Sequence, residues 1–204
     1  MGKLIVFEGI DSSGKETQAR LLTGYLRDKI DATVATFSFP TTDTIFGREI
    51  QEWLHGRRQQ YNQYVVNLLY TQDRMMHKET LERCIKDYDY TIVDRYFYSN
   101  WVYGSFKENI SRLWLQSIDQ PLPKPNMVFL LCIDGELSMK RSGLDADIHE
   151  SDRVFLDKCN LEYQRLGNML GWTILDGDDL PEKIHYRICS QFVTVTPSSA
   201  SSSN

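Results

Sequence analysis

Short, almost wholly apolar runs alternate along this chain with longer stretches in which apolar residues return every three or four positions. The short runs are residues 3–7, 33–37, 90–93, 127–133 and 172–175, rich in Val, Ile, Leu and Phe. Continuous apolar runs of this kind predict strands buried on both faces, whereas a strand with one wet face would alternate. Helical spacing is found over residues 18–26, 43–54, 61–88, 98–106, 111–118, 136–141, 152–170 and 181–192. Strand and helix in turn predict an α/β fold, with a central parallel sheet of about five strands and helices on both faces. Residues 142–151 are polar and fit a lid segment, and the Ser-rich residues 196–204 are too poor in apolar side chains to fold. One domain over residues 1–195 accounts for the rest, with no repeat or linker dividing it.

In such sheets ligands sit at the carboxyl ends of the strands, and two polar clusters fall there. The first, Gly9-Ile10-Asp11-Ser12-Ser13-Gly14-Lys15-Glu16-Thr17, lies between a strand and a helix. Gly9 and Gly14 let the backbone curl so that its N–H groups converge on phosphate oxygens, and the helix start adds further donors. With Ser12 and Ser13 in the loop and Lys15 supplying a positive charge, the cluster reads as a phosphate-binding loop and the fold as a P-loop NTPase fold. Glu16 departs from the pattern, because the residue after the lysine ordinarily carries the hydroxyl that holds magnesium. Either Glu16 faces outward and complements the helix dipole, with Thr17 or water serving the metal, or its carboxylate turns to the metal. The second cluster is Asp94-Arg95-Tyr96. Asp94 stands where a magnesium-associated aspartate would, although it could instead cap the next helix. Arg95 offers a planar fork of donors suited to phosphate oxygens, or a surface ion pair.

Composition narrows the setting. With 204 residues, 41% hydrophobic content and a formal net charge of −5, the chain is expected to be a globular protein whose main partner is not a nucleic acid. Its four cysteines form no C-x-x-C pair, and no apolar run is long enough to span a bilayer. A cytoplasmic protein that does not engage membranes is the expectation.

The segments Phe7-Glu8-Gly9-Ile10-Asp11-Ser12-Ser13-Gly14-Lys15 with Thr17-Gln18, then Phe39-Pro40, Asp94-Arg95-Tyr96-Phe97-Tyr98-Ser99 and Leu122-Pro123-Lys124-Pro125-Asn126, resemble the thymidylate kinase family in order along the chain. The resemblance implies phosphoryl transfer from ATP–Mg²⁺ to dTMP, giving dTDP, by a homodimer. It implies that Lys15 and the loop hold the ATP phosphates, that Asp11 faces the acceptor sugar and that Arg95 bridges the two phosphate groups. Glu16 and Asp94 become the metal candidates. Tyr70 would stack on thymine and Arg74 would bond its carbonyl, and their i, i+4 spacing puts both on one helix face. Phe39, Ser99, Asn100 and Tyr103 fall in the implied acceptor pocket, and Glu150 could meet the acceptor sugar.

Three departures from the family pattern bear on specificity. The arginine that often follows Phe-Pro is absent, with Arg48 nearby. Asn100-Trp101 replaces smaller residues, which predicts a narrowed or reshaped acceptor pocket. Ser12 occupies the place where some members carry a loop arginine, leaving Arg141 and Arg153, on either side of the lid, as candidates for that charge. A kinase for dUMP or a modified thymidylate, or a catalytically degenerate nucleotide-binding protein, are therefore the alternatives. His149 reads as an exposed lid residue, since this chemistry rests on positioning and charge neutralisation and does not demand a strong base.

Overall fold

A computed structural model of the protein describes residues 2–57, 61–106, 110–142 and 152–192. The expected lid, except Ser142, and the expected tail lie outside these residues, as do His149 and Glu150. In chain order the elements are β1 (Lys3–Glu8), α1 (Lys15–Ile30), β2 (Val34–Ser38), α2 (Ile45–Leu54), α3 (Gln63–Met76), α4 (Lys78–Asp87) and β3 (Tyr90–Asp94). They continue with α5 (Phe97–Ser105), α6 (Arg112–Asp119), β4 (Met127–Cys132), α7 (Gly135–Ser142), α8 (Arg153–Leu170), β5 (Thr173–Asp176) and α9 (Pro181–Cys189).

The five strands form one sheet in the order β2-β3-β1-β4-β5, every neighbouring pair parallel. Successive side chains of a strand point to opposite faces. Leu4 and Val6 accordingly pack with Val93, Phe97 and Leu115, while Ile5 and Phe7 pack with Leu22, Leu26, Phe129 and Ile188. The register sets Phe7 and Ser38 opposite Asp94, so the ends of β1, β2 and β3 finish level on one edge.

One element differs from the sequence expectation. The helical spacing of residues 61–88 is divided at His77, where α3 ends and α4 begins. The His77 ring lies edge-on to Phe37 and Phe39, and its Nε2 is 3.2 Å from Asp43 Oδ1. These contacts hold the chain in a bend that local helix propensity would not produce, a tertiary override of the periodic signal. Hydroxyl and amide caps define several helix starts: Thr44 accepts from Gly47 N at 2.8 Å, and Asn62 accepts from Val65 N at 3.0 Å.

Candidate active site

The turn from β1 into α1 requires its glycines. Gly9 has φ +144°, and a Cβ there would lie 2.4 Å from the Leu131 carbonyl oxygen; Gly14, at φ +95°, is the residue before α1. Lys15 folds back over this loop, donating from Nζ to the Ile10 carbonyl at 2.6 Å and to Ser13 Oγ at 3.3 Å. Burial, and then the nearby Arg95 charge, bring its pKa down to about 8. Helix α7 clips onto the same loop, with Ser138 Oγ donating to the Asp11 carbonyl and Ser12 Oγ 2.9 Å from Ser142 Oγ.

Beside the loop a polar recess is lined by Ser12, Gly14, Lys15, Glu16, Thr17, Asp94, Arg95 and Arg141. Asp94 has a buried Oδ1 without a partner among the described residues. Burial raises its pKa; Lys15 and Arg95 oppose that shift, and the Glu16 and Asp11 carboxylates add to it. Two carboxylates facing one recess, one with an unsatisfied buried oxygen, suit a hard divalent cation that prefers oxygen ligands. Of the two arginines flanking the expected lid segment, Arg141 reaches this recess, donating to the Gly177 carbonyl at 3.0 Å. Arg153 is placed elsewhere, more than half exposed, and pairs with Glu136 and Asp157.

A second, more apolar cavity opens on the other side of Arg95. Its lining includes Asp11, Phe39, Pro40, Tyr70, Arg74, Arg95, Ser99, Asn100 and Tyr103. Arg95 therefore borders both spaces. It sits at φ 60°, a left-handed conformation that is costly for a side-chain-bearing residue. Its guanidinium pairs with Asp11 and donates to the Gly9 carbonyl at 3.3 Å. Burial works against its charge, but the Asp11 carboxylate outweighs that and holds it firmly protonated. Tyr103 donates to the other Asp11 oxygen at 2.8 Å, and burial followed by that carboxylate raises its pKa.

Several residues of this cavity, and others that support it from behind, were not singled out from the sequence. Gln63 and Asn67 line it with Tyr70 and Arg74, at spacings of four, three and four along α3. Extending the Tyr70–Arg74 face one more turn in each step would have found them. Glu8, fully buried, accepts from Tyr96 N, Ser99 Oγ and Tyr163 Oη at 2.9, 2.7 and 3.0 Å. The Ser99 hydroxyl is thus engaged by the scaffold even though the residue borders the cavity. Burial raises the Glu8 pKa against the opposing effect of these donors. Asp73 accepts from Thr41 N at 2.9 Å and also receives Thr44 Oγ1, tying the Phe39-Pro40 loop to α3. Trp101, expected to narrow the pocket, turns into the core against Phe97 and Tyr98, and only Asn100 of that pair lines the cavity. Arg48 bonds the Thr42 and Asp43 carbonyls away from the cavity. Among the described residues, the arginines and lysines lining it are Arg74 and Arg95.

The sequence model of the thymidylate kinase family matches residues 7–188. A thymidylate kinase of Plasmodium falciparum is 31% identical over 195 residues, spanning 95% of this chain and 91% of the relative. One from Arabidopsis thaliana is 31% identical over 188 residues, spanning 92% of this chain and 69% of the relative. In three dimensions, the structure of a thymidylate kinase from Candida albicans superposes with a TM-score of 0.74 at 24% identity, covering 94% of this chain and 91% of the other, a likeness of fold.

Proposed function

The chain belongs to the thymidylate kinase family, whose reaction is phosphorylation of dTMP to dTDP, and we propose that it carries out this reaction with ATP–Mg²⁺ as donor across Arg95. The observation that carries this reading is the position of Arg95 on the boundary between the loop recess and the base cavity. A guanidinium there can bond both the departing and the accepting phosphate oxygens, so it stabilises charge that develops between them. Lys15 and the loop amides hold the donor phosphates, and Arg141 is the flanking arginine that supports the recess. Asp94 and Glu16 would hold the magnesium ion, which when bound neutralises phosphate charge. On the acceptor side, Tyr70 stacks on the base, Arg74 bonds a base carbonyl, and Asp11 takes the sugar hydroxyl. A homodimer is part of the reading, supported by exposed apolar side chains on α3 and α6, Tyr64, Leu68 and Leu113. So is a cytosolic setting, supported by four cysteines present as thiols, which a reducing compartment maintains. Among the described residues no helix is long and apolar enough to cross a membrane.

The test is a panel of monophosphate acceptors with ATP and Mg²⁺, read by ADP release. dTMP should give the highest kcat/KM, dUMP should follow, and dCMP should trail by roughly 5- to 150-fold, the effect of leaving a buried polar group unpaired. In Arg74→Ala the preference over dCMP should collapse. A dCMP or purine preference in the unaltered protein would overturn the acceptor assignment, and no ADP release with any acceptor would leave a nucleotide-binding protein without catalysis.

Glu16 makes a separate prediction. Its carboxylate adds negative charge beside Asp94, where phosphates must also bind, so a cation has to lie between. Glu16→Ser, which restores a hydroxyl, should lower the Mg²⁺ concentration needed for half-maximal rate. An unchanged metal titration would assign Glu16 to solvent.

A further inference from the structure

Asp119, the last residue of α6, is completely buried 45 positions along the chain from Arg74, and it contacts nothing in the loop recess. Its Oδ1 accepts from Thr71 Oγ1 at 2.9 Å and from Arg74 Nη2 at 3.4 Å. Its Oδ2 accepts from Trp101 Nε1 at 3.2 Å and Asn100 Nδ2 at 3.4 Å. Asn100 Nδ2 also donates to the Asn67 carbonyl and to Thr71 Oγ1, both at 3.2 Å. One end of the Asn100 amide is therefore surrounded by a carboxylate, a carbonyl and a hydroxyl whose own proton is committed to Asp119. Only the NH₂ group can occupy that end, because a carboxamide has two donors at one end and acceptor lone pairs at the other. Its Oδ1 receives no hydrogen bond from the described residues and belongs to the cavity that Asn100 lines. Arg74, also buried, is held by the same carboxylate, and its Nε has no partner among the described residues.

We propose that Asp119 is a positioning residue that sets the hydrogen-bond polarity of the base cavity, holding Arg74 as its donor and Asn100 as its acceptor. That pair complements the imide edge of uracil or thymine, where a carbonyl acceptor sits beside an N–H donor. Cytosine presents the reverse, an amino donor beside an unprotonated ring nitrogen, and meets donor with donor and acceptor with acceptor. The polarity is maintained without contact between Asp119 and the base: the carboxylate can only accept, it holds the Thr71 hydroxyl as an acceptor toward Nδ2, and with the Asn67 carbonyl it opposes a half-turn of the Asn100 amide. This inference rests on the proposed acceptor function.

The experiment compares dTMP and dCMP as acceptors in the unaltered enzyme, in Asp119→Asn and in Trp101→Phe, each with kcat and KM separated and thermal stability measured. The substituted amide at position 119 can turn its own NH₂ toward Asn100 and free the Thr71 hydroxyl to donate, which weakens the lock to the Asn67 carbonyl alone. The ratio of kcat/KM for dTMP over dCMP should then fall by about 10-fold or more, mainly through a lower KM for dCMP and a higher one for dTMP. Trp101→Phe removes another donor from Asp119 without touching Arg74 or Asn100, and should leave the ratio unchanged while costing stability. If Asp119→Asn lowers turnover with the ratio intact, Asp119 supports only the fold and the proposal is wrong. If Asp119→Asn does not fold, Thr71→Val decides. It removes a hydroxyl that also faces Asn100 Nδ2, and the ratio must fall by about 3-fold or more for the proposal to stand. Absence of dTMP turnover in the unaltered enzyme would defeat the acceptor reading itself, a different outcome from an intact ratio in the variants.

Discussion

Arg95→Ala should lower kcat/KM for phosphoryl transfer by about 100-fold or more, equivalent to about 2.7 kcal/mol of transition-state stabilisation. Among the described residues, Arg95 is the one that lines both spaces on this edge of the sheet, while its partner Asp11 lines the base cavity. Removing it also takes a positive charge from beside the Asp11 carboxylate, so the incoming phosphates meet a more negative edge. Arg95→Lys keeps the charge but not the fork of donors, and should fall between the two. The fold should survive, because Arg95 sits at a strand end and not in either packed face of the sheet. Steady-state kinetics with a circular dichroism control check this. Turnover near the unaltered value in Arg95→Ala would remove the residue from the mechanism.

The reasons these assignments were legible in the sequence differ from residue to residue. The phosphate loop and Asp94-Arg95 are contiguous strings at the ends of apolar runs, so local pattern and parallel-sheet topology together placed them on one edge. Tyr70 and Arg74 share a helix face by spacing alone. Asp119 was invisible because its meaning depends on three helices meeting: α3 supplies Thr71 and Arg74, α5 supplies Asn100 and Trp101, and α6 supplies the carboxylate. Glu8 was hidden for a related reason. It ends an apolar strand, and the donors that satisfy it lie 88, 91 and 155 positions away. The break at His77 was missed because Phe37 and Phe39, far along the chain, hold the bend. Arg141 and Arg153 are equivalent in sequence, flanking one polar segment, and only the packing of α7 against the loop separates them.

Lys15→Ala should reduce kcat/KM by about 100-fold or more as well, and Lys15 adds a pH dependence that Arg95 does not. Its folded pKa of about 8 lies below the ordinary lysine value of 10.5, with burial as the leading cause. Below pH 8 the lysine is charged in both folded and unfolded chains, and burying that charge costs stability. Between the two values the unfolded chain binds more protons, so this residue's contribution to stability rises with pH through that window. Bound phosphates act in the opposite sense, since they favour the charged ammonium. ATP binding above pH 8 must therefore take up a proton, and affinity should weaken as pH rises past about 8, by up to about tenfold per pH unit. Calorimetry in buffers of different ionisation enthalpy would read that proton directly. In Lys15→Ala the proton uptake should vanish, and the free protein should be no less heat-stable than the unaltered one, because a buried charge has been removed. Uptake that persists in Lys15→Ala would assign the proton to another group, and loss of the fold would make Lys15 a structural residue of the loop.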